Sequence, residues 1–142
     1  MAKTAYIKSN KAYIYAKECI KSKEAPKYVK KQCKKFIEIA DGKDKKYCIN
    51  EEKVKQIENV LKLLIMPKGL KAGQTLYECT ANYQWLFYIS ILAVVYREDK
   101  ARRRYETGIL EICRKNFKTY TVGTLFLLLF LLQMEFLQLL LT

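Results

Sequence analysis

Residues 122–132 run for eleven positions without a strongly polar side chain, and the apolar pattern resumes to Leu141 with breaks only at Gln133, Glu135 and Gln138. A stretch of that kind must be buried, either in a protein core or in a bilayer. A membrane span wants roughly 20 predominantly apolar residues. Glu135 at its centre would cost on the order of 2–3 kcal/mol on insertion. Two readings follow. In one, residues 122–141 anchor a small basic protein by its tail, with its lysines toward anionic headgroups. In the other, the run is a helix buried on both sides in an α/β core. The buried helix is the expectation here.

Composition bounds the rest. A chain of 142 residues is long enough for one domain with a modest core and short for two. The net charge of +13 is uneven: residues 1–75 hold nineteen lysines against eight acids, whereas residues 76–142 hold eight Lys/Arg against six acids. A basic half points to an anionic partner such as DNA, RNA or a membrane surface, or else to a solvated lysine-rich face. Histidine is absent, and no two of the five cysteines form a Cys-x-x-Cys pair. That excludes the usual zinc sites and any Cys–His nucleophile. Scattered cysteines in odd number, behind an N-terminus without an apolar signal core, fit reduced thiols in a cytosolic protein.

The first seventy or so residues read as helices. Tyr6, Ile7, Tyr13, Ile14, Ala16 and Ile20 recur at helical intervals and predict one amphipathic helix over roughly residues 4–22. Ala25 and Pro26 break it, and Pro26 suits the first turn of the next helix, which Asp41 and Gly42 stop. A lysine-rich loop leads to Tyr47, Cys48 and Ile49. Asn50 then caps a third helix with Glu51 and Glu52 in its first turn, and Pro67, Gly69 and Gly73 close it in a loop. Residues 82–96 resemble a buried helix. Arg102 to Arg104 open a strand candidate running to Cys113.

Between that strand and the apolar run lie Arg114, Lys115, Asn116, Phe117, Lys118 and Thr119. Strand, short basic loop ending in Lys-Thr, then helix is the layout of a phosphate-binding loop. Such a turn aims backbone N–H groups at phosphate oxygens, and the helix N-terminus adds its positive dipole end. Lys118 would reach the β- and γ-phosphates, and the Thr119 hydroxyl would hold a magnesium ion.

With these segments in order, the chain resembles the N-terminal part of phage terminase large subunits, the motors that package viral DNA. Lys27, Tyr28, Val29 and Lys30 resemble the family's N-terminal helical region, and Asn50, Glu51 and Glu52 its acidic helix start. The stretch from Asn82 through Trp85 to Phe87 is similar to its adenine-contacting element. Arg103, Arg104 and Tyr105, then Ile109 to Ile112 and the 114–119 loop, resemble its Arg-Arg-aromatic strand and its Arg-Lys-Asn-Gly-Lys-Ser/Thr loop. The likeness covers roughly residues 5–132 and is most specific over 103–119.

The resemblance implies a mostly α chain carrying a fragment of an α/β P-loop NTPase domain. It divides the chain into a lysine-rich helical region over 1–75, the start of the ATPase domain over 76–132, and a divergent tail over 133–142. It implies ATP and Mg²⁺ as cofactors, bound through Arg114, Lys115, Asn116, Lys118 and Thr119 at the phosphates and through Tyr83 and Gln84 at the adenine, with Thr119 at the metal. It also implies double-stranded DNA, a portal and a terminase small subunit as partners, in a bacterial host cytosol.

Two departures shape the expectation. Phe117 stands where the family has glycine, and its ring crowds the nucleotide; Ile112 stands where the general motif has its first glycine. After Glu111 the only acid is Glu135, so the second acidic motif needed for phosphoryl transfer is missing, as is a nuclease region. A truncated, degenerate terminase without ATPase or nuclease activity of its own, and with no catalytic residue assigned, is the expected function.

Overall fold

The computed structural model describes residues 5–67, 69, 71–113 and 117–141, with side chains described within residues 6–133. It is mostly helical with one small antiparallel sheet: α1 (Ala5–Ser9), α2 (Lys11–Lys21), α3 (Lys27–Ala40), β1 (Tyr47–Ile49), α4 (Glu51–Leu63), α5 (Leu76–Cys79), α6 (Asn82–Leu92), β2 (Val94–Tyr96) and α7 (Lys118–Leu141). The chain divides into two compact units. One is Met1–Val54 with Ala81–Glu106; the other is Lys55–Thr80 with Thr107–Thr142.

In the first unit α2 packs on α3 and on α6. The core is built from Tyr13 and Ala16 of α2, Cys33 and Phe36 of α3, and Trp85 and Tyr88 of α6, all buried. The single helix expected over residues 4–22 is two. Asn10 takes an extended backbone and its side-chain oxygen accepts the Ala12 N–H at 2.9 Å, so it caps α2 instead of continuing α1. Local bonding of this kind is why Asn interrupts helices. Pro26 stands at the N-cap of α3, and Gly42, at φ 76°, follows its C-cap Asp41.

The buried helix expected over 82–96 stops at Leu92, and the next residues form a strand. Tyr47 pairs with Tyr96, Cys48 with Val95 and Ile49 with Val94. Branched Val94 and Val95 favour the pleated backbone that this pairing supplies. A third segment lies along β2: Tyr96 N–H donates to the Arg102 carbonyl at 3.1 Å, and Arg104 N–H to the Val94 carbonyl at 2.9 Å. Beyond it the expected strand is absent. Residues 107–113 carry no helix or ladder bonding, and Ile109 is 89 % exposed. A strand exists only with a neighbour to share its hydrogen bonds, and none of the described residues provides one.

In the second unit the end of α4 buries Ile57 and Leu61. A tight connection follows, with Met66 N–H donating to the Gln74 carbonyl and Leu76 N–H to the Leu64 carbonyl. Thr75 starts α5 with a reciprocal cap: its hydroxyl accepts from Glu78 N–H, and the Glu78 carboxylate accepts from Thr75 N–H. Helix α7 buries Thr121, Thr124 and Leu128, three to four residues apart and so on one face. Its other face is apolar and exposed, with Phe126 at 67 % and Phe130 at 60 %. The expectation of burial on both sides is therefore not met, because among the described residues no sheet covers the second face. Among the described residues, no helix is long and apolar enough to cross a membrane.

Candidate functional site

The loop expected to hold phosphate is described from Phe117 onward; Arg114, Lys115 and Asn116 lie outside the described residues. Phe117 has φ 56°, the one non-glycine residue in the left-handed region among those described. Its carbonyl accepts both the Thr121 N–H at 2.8 Å and the Thr121 hydroxyl at 2.9 Å, which closes the first turn of α7. Lys118 and Thr119 occupy that first turn and are exposed. The Phe117 ring, 69 % exposed, meets Tyr120 edge-on at 6.5 Å between centroids instead of entering a core. Burial raises the Tyr120 hydroxyl above its ordinary value, and Cys79 adds to that.

Tyr83 and Gln84 lie together on the first turn of α6, in the other compact unit. The Gln84 side-chain oxygen accepts the Ala81 N–H at 2.8 Å, and the residue is buried. Its amide therefore serves the helix start. Half-buried Tyr83 lies near enough to Tyr15 to add slightly to its shift; the Tyr15 hydroxyl is raised first by burial and then by a hydrogen bond with Cys19.

A third constellation, whose Tyr47, Arg102, Arg104 and Tyr105 the sequence offers only as separate segments, surrounds the small sheet. Tyr47 and Tyr96, paired across β1 and β2, meet edge-on at 5.0 Å. The Arg104 guanidinium lies 4.2 Å from the Tyr47 ring centre and 4.7 Å from that of Tyr105, and Arg102 lies 4.8 Å from Tyr96. Lys46 reaches both paired rings, at 5.6 and 5.5 Å. Cations over ring faces are held by the quadrupole of the ring. Beside them Arg97 donates to the Asp44 and Gly42 carbonyls. Burial pushes the Asp44 carboxyl up, but bonds from Tyr47 and Lys46 N–H with the charges of Arg104 and Arg97 outweigh it and hold the group below its ordinary value. Lys53 is lowered, first by burial and then by Arg103. This arrangement ties the β1 loop to the 97–105 segment.

All five cysteines are free thiols. Among the described residues, no cluster of three or more His, Cys, Asp or Glu side chains is placed to hold a metal ion. No protein-family model, curated protein or solved structure matches this chain.

Proposed function

We propose that the chain is the N-terminal part of a phage terminase large subunit, with residues 114–119 as its nucleotide loop and with DNA as the substrate of the whole motor. The observation that carries this reading is the backbone of Phe117. The position where the motif has glycine takes the left-handed conformation that glycine supplies, and it does so with a side chain disfavoured there. Lys118 and Thr119 then begin α7, as a Walker-type lysine and hydroxyl begin their helix. Two further features agree. Residues 107–113 carry no ladder bonding among the described residues, which is what a sheet strand would show without its neighbours, and α7 shows an exposed apolar face. The acids after Thr119 number one, Glu135, so these residues do not supply the carboxylates that position metal and water for hydrolysis.

Replacing Phe117 with glycine tests the reading directly. The variant relieves the backbone and clears the ring from the loop, so ATP–Mg²⁺ should bind at least tenfold more tightly than to the parent in a calorimetric titration. A variant that is folded and at least as stable, yet gains no affinity, overturns the loop assignment.

A second reading has one observation in its favour, the exposed apolar face of α7 at Val122, Phe126, Leu127 and Phe130. Under it residues 122–141 meet lipid, and the intact chain floats with anionic vesicles in a density gradient and resists alkaline extraction. Recovery in the unbound fraction excludes it.

A further inference from the structure

The face of α3 opposite the core carries five lysines, Lys27, Lys30, Lys31, Lys34 and Lys35, and no acid occurs between Glu24 and Glu38. Inward, Cys33, Phe36 and Ala40 are buried. At about 100° per residue the lysines fall within an arc of about 140° centred away from those three. Lys27, Lys31, Lys34 and Lys35 are exposed and Lys30 is half-buried. From Lys27 to Lys35, eight steps along the helix, the row is about 12 Å long.

A solvated surface helix ordinarily mixes signs, with Glu–Lys pairs four apart that support it. Here three of the charged pairs four apart, Lys27–Lys31, Lys30–Lys34 and Lys31–Lys35, are repulsive, and one, Lys34–Glu38, is of opposite sign. Lys27 and Lys30 also stand in the first turn, where the helix dipole disfavours cations, and that turn holds no acid. Among the described residues, none of these five lysines makes an ion pair within 4 Å of a carboxylate. The helix keeps its form through the buried side chains, against its own charge.

We infer that this lysine face of α3 binds the phosphodiester backbone of duplex nucleic acid without reading its sequence. A duplex carries one charge per about 1.7 Å of axis, so the 12 Å row spans about seven phosphates. Lysines act as point charges toward phosphate and hold no fork for a base edge. An anionic membrane fits less well. Surface-binding helices bury their apolar face in the headgroup layer, and α3 has its apolar face in the core. The inference does not depend on the nucleotide loop: duplex binding through α3 stands or falls whatever residues 114–119 hold.

The test uses the full chain, a labelled 30-base-pair duplex of arbitrary sequence, and fluorescence anisotropy over a series of salt concentrations. Five phosphate contacts predict a slope of log K against log salt of about −4.5. Exchanging all five lysines for glutamine should reduce that slope by about 4 and abolish measurable binding at physiological salt. The same exchange at Lys21, Lys23, Lys43, Lys45 and Lys71, all exposed, removes equal charge elsewhere and should leave the slope within about 1 of the parent. The α3 variant should also melt no lower than the parent, since it loses repulsion. Equal losses in the two variants reduce the effect to diffuse net charge and overturn the inference. So does binding to phosphatidylserine vesicles with none to the duplex.

Discussion

At Phe117 and Gly42 the chain takes the same left-handed region, φ 56° and 76°, with opposite chemistry. Glycine enters it freely, whereas a residue with Cβ gives up about 1–2 kcal/mol. The need for glycine after Asp41 was legible because a helix stop is a local pattern. That Phe117 obeys the same backbone demand was not, since its side chain argues against the conformation it adopts. Tyr13 shows what tertiary contact adds to a residue. Its hydroxyl donates to Asp41 at 2.8 Å. Burial first, then that bond and the Asp41 charge, push it from 10.0 up to about 12. The folded state therefore keeps its proton where the unfolded chain loses it. The contribution is complete below pH 10 and is lost as pH rises through about 12. Cys33, raised to about 12 chiefly by burial, acts in the same direction. Urea titrations at pH about 9 and about 11.5 should show the parent losing more stability than Tyr13→Phe over that interval. Equal losses would mean that Tyr13 is not among the groups responsible.

Elements were legible in the sequence wherever their boundaries were chemical. Asn50 caps α4 as expected, its side-chain oxygen accepting from Glu52 N–H at 3.1 Å and Lys53 N–H at 3.3 Å, with Glu51 and Glu52 in the first turn. Asn50→Ala should therefore lower stability by about 1 kcal/mol, and Asn50→Asp should stay within about 0.5 kcal/mol of the parent. Chemical denaturation of the three proteins checks this, and an alanine variant as stable as the parent removes the cap from the account. The strands were missed because three residues each are too short for a period of two to show. In β2 the apolar run also continues from α6 without a break in composition. The reverse error occurred at Ile109 to Cys113, where the pattern is strand-like and the ladder partner is missing. The cation–tyrosine cluster escaped notice because Tyr47 and Arg104 meet only once β1 and β2 pair. Gln84 stood out only through the resemblance, for an adenine role; its bond to Ala81 N–H gives it a capping task that its sequence neighbours do not announce.

For the molecule as a whole, the decisive contrast is between the two faces of α7. Leu128 is fully buried, while Phe126 and Phe130 stand mostly exposed on the other side. Water-facing apolar patches of this kind drive association, and a charge of +13 opposes it only while salt is low. Two substitutions separate these roles. Leu128→Ala opens a cavity and should cost about 2–4 kcal/mol of stability. The double change Phe126→Glu and Phe130→Glu removes no core contact, so it should alter stability by about 0.5 kcal/mol or less. In sedimentation at physiological salt the parent should grow heavier with concentration, whereas the double glutamate protein should run as a single species. If instead the two glutamates cost as much stability as the Leu128 cavity, and the parent sediments as one species throughout, then α7 has its second face covered. In that case neither an absent sheet nor a lipid surface is needed to account for residues 122–132.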